Sequence, residues 1–464
     1  KFLDLAVQKD LCFLPMAVQS LSICGLDGAS TEIEVSSDET IGDILKRLVP
    51  AALRRFSCLL AGANVLRNDT CVCDAELEGV VLQLVRGRCR NVVVCTRRPA
   101  EGPAYIAAIP NSVTSITHVA FRGCTSLVEV QIPNSVKRIG MSAFENCTSL
   151  TVVQISNSVT SIGERAFRSC SSLTEIQIPN SVTIIGKFAF AGCTSLTQVL
   201  VPDSVIEVSG GAFQGCTSMA QIQIPNSVTS IGACAFKSCT SLKAAQISNS
   251  VESISLYVFQ GCTSLAQIEI PSSVASVCNG AFDGCTSLID VQIPSSVTSI
   301  GNWAFECCTL LAKVQIPDSV MNIGDRAFTD CASMIQVSIP NSVRSIGGSA
   351  FEGCISLTAV RIPDSVSSID GHVFKGCASL AQVHIPSCVT SVGTCAFQGC
   401  TSLTQVQFPN SVTSIGNRAF DGCSSLAKVE IPTSVTSIGN RAFNGCTSLV
   451  KVKIPSSVTS VGVR

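Results

Sequence analysis

The chain has 464 residues, 14% of them charged, and its 31 Lys plus Arg nearly balance its 32 Asp plus Glu. That balance excludes the basic face of a general nucleic-acid binder, and no apolar run reaches the ~18 residues of a membrane-spanning helix. With 46% apolar residues the chain has the material for a packed core and is not of the disordered class.

Residues 1–19 read as an N-terminal extension. Their apolar middle is interrupted by Asp4, Lys9 and Asp10, so they make a weak signal peptide. The chain begins at Lys1 rather than Met, which leaves room for a leader upstream. Residues 20–87 read as strand, strand, helix, strand, loop, strand. Leu21 to Cys24 and Thr31 to Val35 flank a Gly-containing turn. Ser37 or Asp38 can cap a helix from Thr40 to Leu48, with Ile41, Ile44, Leu45 and Leu48 on one side. Phe56 to Leu60 and Val80 to Val85 read as buried strands. This order, with Ser37-Asp-Glu-Thr-Ile41 before the helix and Leu60-Ala-Gly62 after a strand, resembles the ubiquitin-like β-grasp (α+β) fold. It departs where modifier chemistry lives: Arg86-Gly87-Arg88-Cys89 has no terminal Gly-Gly, and Ala63 stands where ubiquitin has a linking lysine. The resemblance therefore implies an adaptor or cap rather than a conjugated tag. Residues 88–108 read as the junction, where Val92 to Val94 can add a strand against the first coil's open edge.

From Ile109 the motif I-P-N-S-V-T-S-I-G-x-x-A-F-x-G-C-T-S-L-x-x-V-x takes over. Its Phe recurs every 23 residues for fifteen copies, from Phe121 through Phe144 and Phe167 to Phe443. The Cys three residues on recurs as strictly, from Cys124 to Cys446. A constant period of this size with no insertion means a solenoid, one coil per repeat, stable only when coils stack. In the coil from Leu173, the alternation through Ile178 predicts a strand with Ile176 inward and Glu175 and Gln177 outward. Pro179 turns the chain, Val182 and Ile185 return inward, Gly186 makes a corner, and Ala189-Phe190 fill the far side of the core.

This motif resembles the 23-residue leucine-rich repeats of the BspA-like family, over 109–464. The resemblance implies an α/β solenoid, a leucine-rich-repeat array with a parallel sheet on one face, of fifteen coils plus a partial coil. Some family members are cell-surface proteins implicated in adhesion or protein binding, and activity is not uniform across the family. The chain stops at Val458 to Arg464, inside another coil, so we expect a piece of a longer protein or an open end that makes an end-to-end assembly contact.

No constellation for catalysis stands out. There is no P-loop, dinucleotide fingerprint or H-E-x-x-H, and the histidines are His118, His372 and His384 alone. The cysteine column invites a metal or redox reading, but free Cys is among the most buried residue types, and packing is the stronger reading. No enzymatic activity, metal or cofactor is expected. A column of free thiols is easiest to keep in a reducing compartment, which points inside the cell, with a surface or secreted setting as the alternative. Outward strand positions form the candidate recognition surface. Their Gln-rich columns are either amide ladders between coils or a protein-binding face. Variation concentrates late, which singles out Arg361, His384, Gln407, Lys428, Glu430, Lys451 and Lys453 as candidate protein-binding residues. The expected function is a non-catalytic protein-interaction scaffold or adaptor without direct membrane insertion. The alternatives are a surface or secreted adhesion protein, or a structural spacer in a larger assembly.

Overall fold

The computed structural model describes residues 113–462 continuously, 105–109 and 111 before them, and short strand segments between 3 and 95. The chain divides into two compact units, Lys1–Met219 and Ala220–Arg464. In the first, Gln19–Gly25 and Ser30–Val35 form an antiparallel pair, and Leu3–Val7 pairs antiparallel with both Gln19–Gly25 and Val81–Gln83. The helix expected over 40–48, and with it most of the β-grasp assignment, lies outside the described residues.

Val94–Cys95 pairs antiparallel with Tyr105–Ala108, and from there every pairing is parallel. Tyr105–Ala108 pairs with Leu127–Ile132, and that with Val152–Ile155. Glu175–Gln177 pairs with Gln198–Leu200 over three residues. The alternation expected from sequence holds in these strands: Ile176 is buried while Glu175 and Gln177 are exposed. Val182, Ile185, Ala189 and Phe190 are all fully buried. A second parallel ladder, not anticipated from sequence, joins the two-residue strands of the S-I positions, from Ser115–Ile116 through Ser161–Ile162 to Glu207–Val208. The second unit repeats both ladders. One joins the strands from Gln221–Gln223 and Ala244–Gln246 onward, the other the strands from Ser253–Ile254 and Ser276–Val277 onward.

The fold class corrects the α/β expectation. No helix occurs among the described residues, and the repeats form a parallel β-solenoid of about fifteen turns. The reason lies in the stretch from the corner Gly to the Cys. Each coil places two residues there in the left-handed region, four apart, as in Ser142 (φ 53°) and Asn146 (φ 63°). Left-handed residues at that spacing interrupt any right-handed helix. The hydrogen bonds follow suit. The amides of Ser142, Phe144 and Asn146 donate to Glu164, Ala166 and Arg168 in the next coil. The intervening amides of Ala143, Glu145 and Cys147 close tight turns onto carbonyls three residues back. Alternate amides thus serve the neighbouring coil, and none is left to build a helix.

Stacking completes the core. Phe121, Phe144, Phe167, Phe190 and Phe213 stack in the first unit with centroids 4.8–5.4 Å apart. In the second, Phe328, Phe351 and Phe374 continue the pattern at 5.4 and 5.6 Å. The spacing is close to that of neighbouring strands, so one translation sets backbone and rings alike. Phe351 is fully buried between two such rings. We expect Phe351→Ala to cost about 3–5 kcal/mol in urea unfolding, through lost burial and an unfilled cavity. A loss under about 1 kcal/mol would contradict the stack's role.

Candidate functional site

The conspicuous chemical groups of the repeats, the cysteines of the 23-residue column, are consumed by the fold. Cys193 Sγ donates to the carbonyl of Phe167 at 3.2 Å, and Cys354 Sγ to that of Phe328 at 3.2 Å. The same contact, always 26 residues back, recurs from Cys147 to Cys446. Cys193, Cys354 and Cys400 are fully buried, and desolvation pushes each thiol from about 9 up to about 12, against a weaker opposing effect of a backbone hydrogen bond. A buried, protonated thiol is neither a nucleophile nor a ready target of oxidation. Among the described residues no group of His, Cys, Asp and Glu could hold a metal ion.

Other polar side chains bind neighbouring coils as well. Ser204 and Ser273 donate to the carbonyls of Val182 and Val251, 22 residues back, at 2.7 Å. Thr298 and Thr436 do the same toward Ala275 and Thr413 at 3.2 Å. These hydroxyls tie coil to coil. In the first unit, buried Glu145 sits between Arg122 (3.0 Å) and Arg168 (3.5 Å), which satisfies its charge.

What remains available is the outer face of the three-residue strands. In the second unit it holds a groove of about 590 Å³. Arg361, His384 and Gln407, three of the sequence candidates, line it together. Arg361 and His384 are direct cross-strand partners. Lys428 and Glu430 do not line that groove but stand on the strand beside it, as cross-strand partners of Gln405 and Gln407, and pair with each other at 3.0 Å, both well exposed. Such a pair is worth at most about 1 kcal/mol. Lys451 and Lys453 are exposed, but residues 451–455 form no strand, so the two do not extend the sheet face. Lys313, Ser338 and Ala359 also line the groove and were not singled out from sequence. The signal was their departure from the Gln columns toward a charge or a small side chain.

The region from 106 to 464 matches the family described as BspA type leucine rich repeat region, in overlapping stretches 106–220, 169–285, 252–381 and 367–464. The chain belongs to this family. A leucine-rich repeat protein from Bacteroides ovatus shares 31% identity with this BspA-type chain, at a TM-score of 0.65, over 79% of this chain and 94% of its own. A leucine rich cell surface protein from Faecalibacterium prausnitzii shares 25% identity over 96% of this chain and 95% of its own, at a TM-score of 0.34. The pneumococcal vaccine antigen PcpA shares 19% over 82% and 98%, at a TM-score of 0.44. No curated protein matches.

The thiol column should make these BspA-type repeats sensitive to alkaline pH. Folded pKa values near 12 lie above the unfolded value near 9, so the contribution is whole below pH 9 and is lost as pH rises through 12. Urea midpoints should hold steady from neutrality to pH 9 and fall beyond it. Cys193→Ala should lessen that fall, and a midpoint flat to the upper end of the window would contradict the protonated-thiol account.

Proposed function

We propose that the chain is a non-catalytic protein-binding solenoid of the cell-surface or secreted kind, engaging its partner over the outer face of the three-residue strands. The observation that carries this reading is how the two kinds of polar position are used. The Ser, Thr and Cys of the turns and corners are spent on carbonyls of adjacent coils. The strand residues of the sheet face are exposed in every strand from Glu175–Gln177 to Lys428–Glu430. A broad face of amides and scattered charges, held on a rigid lattice, suits protein recognition.

The surface or secreted setting rests on membership of the BspA-type family. The intracellular expectation rested on the thiol column. Thiols that are buried, protonated and donating to carbonyls are protected by the fold itself, so they call for no reducing compartment. A purely structural spacer fits less well, because the face columns change character within the second unit, from Gln246 and Gln292 to Ser338, Arg361 and His384.

Photo-crosslinking separates these readings. With a photoreactive residue at Gln246 on the face, or at Asn417 on the turn side, cells bearing the protein should yield a specific protein adduct from Gln246 alone. Equal adducts from both positions, or none from the face, would overturn the face-binding reading.

A further inference from the structure

The groove in the second unit has three features that repetition alone does not produce. The first is its floor. Ser338 and Ala359, on adjacent strands, stand where most neighbouring coils carry Gln. The sheet loosens there too. Gln336–Ser338 and Ala359–Arg361 pair only at Gln336 and Ala359, whereas the strand pairs on either side match over three residues. Small side chains and a slackened ladder leave about 590 Å³ open over the face.

The second is charge. The ionisable residues lining the groove are Lys313, Arg361 and His384, and no carboxylate lines it. The acidic residues on the flanking strands are both engaged: Asp290, the cross-strand partner of Lys313, accepts from the Gln292 amide at 3.2 Å, and Glu430, the cross-strand partner of Gln407, pairs with Lys428 at 3.0 Å.

The third is an apolar margin. Ile289 and Ile335 immediately precede strand residues of the face, and each is 52% exposed. Ala312 lies between them, donating to the Ile289 carbonyl and accepting from Ile335, both at 3.2 Å. The three therefore form one column along the leading edge of the sheet. Leu310 and Ile355 are about half exposed in the same coils.

We propose that this groove docks an acidic polypeptide segment that carries apolar side chains. Its carboxylates meet Arg361 and Lys313, with Arg361 suited to a bidentate contact. Its apolar residues cover Ile335 and Ile289, and its backbone amides pair with the Gln amides of the walls. The apolar margin favours a polypeptide over a sulfated polysaccharide, which would satisfy the charges and leave the isoleucines in water. The inference rests on the face-binding reading and names the chemistry of the partner.

The test uses the full chain and fluorescence anisotropy with a labelled short peptide of mixed Glu and Leu. A Lys-for-Glu peptide and dextran sulfate serve as the other arms. The Glu peptide should bind saturably, more weakly as salt rises, and the Lys peptide should not bind. Arg361→Gln and Lys313→Gln should each weaken binding about tenfold, the loss of one charge-assisted contact. Ile335→Ser should weaken the peptide and leave dextran sulfate unchanged, and Asn417→Ala, on the turn side, should change neither. No binding of the Glu peptide, equal binding of the Lys peptide, or full affinity in Arg361→Gln overturns the proposal. So does dextran sulfate binding with no peptide binding. Those results leave a face-specific adduct from Gln246 intact, whereas loss of that adduct fails the broader reading whatever the peptide does.

Discussion

Everything in the repeat region hangs on one constraint: alternate backbone amides of each coil donate to the coil beside it. That requires every coil to contain the same number of residues, and all fifteen copies keep the 23-residue period. Side-chain contacts inherit the same arithmetic. A thiol finds its carbonyl 26 residues back and a serine hydroxyl finds its own 22 back, in both units. One inserted residue would displace all of these together, because strands, rings and side-chain ladders share a single translation.

The same constraint explains the strained backbone. Residues such as Arg165, Trp303 and Arg418 hold φ near 55°, where a side chain costs about 1–2 kcal/mol. The compensation is local. The amides of Arg165, Trp303 and Arg418 each donate to the next coil, to Lys187, Asp325 and Asn440. Packing adapts beside two of the aromatic left-handed residues, Phe188 and Tyr257. A Cβ on Gly211 would lie 2.3 Å from the Phe188 ring, and one on Gly280 equally close to Tyr257. Glycine follows each of these rings in the next coil because nothing larger fits beneath it.

The period, the inward Phe and Cys columns, and the outward strand residues were legible in the sequence because each is a fixed offset in fifteen copies. The missing helix was not. The first left-handed position is Gly only at 211 and 280 and elsewhere carries Arg, Phe, Tyr, Trp, Cys, Ser, His or Val, residues that give no local warning of positive φ. The second carries Gly, Asn, Ser or Asp in most coils, a usable hint taken alone for a turn. The two-residue ladder was hidden by its shortness, since Ser-Ile is too brief to show alternation. At the candidate site, Arg361 and His384 were visible as departures from a Gln column, beside its member Gln407. The depression beside them was not, because it comes from what Ser338 and Ala359 lack rather than from what they carry. The cysteine column pointed to a reducing compartment only because composition counts thiols and does not show what each one touches.

A lattice this regular turns function into a matter of exceptions. Residues that repeat are spent on holding coils together, and those that break the columns on an exposed face are free to meet a partner. This account stands or falls on whether coil register, rather than local sequence preference, holds the structure. The most direct measurement compares two changes by urea unfolding and amide hydrogen exchange: deletion of one whole coil, residues 271–293, and insertion of one Ala between Phe282 and Asp283. Register control predicts that the 23-residue deletion keeps native exchange protection in the remaining coils, while the single insertion lowers stability and unprotects the coils around it. Equal tolerance of the insertion and the deletion would contradict it.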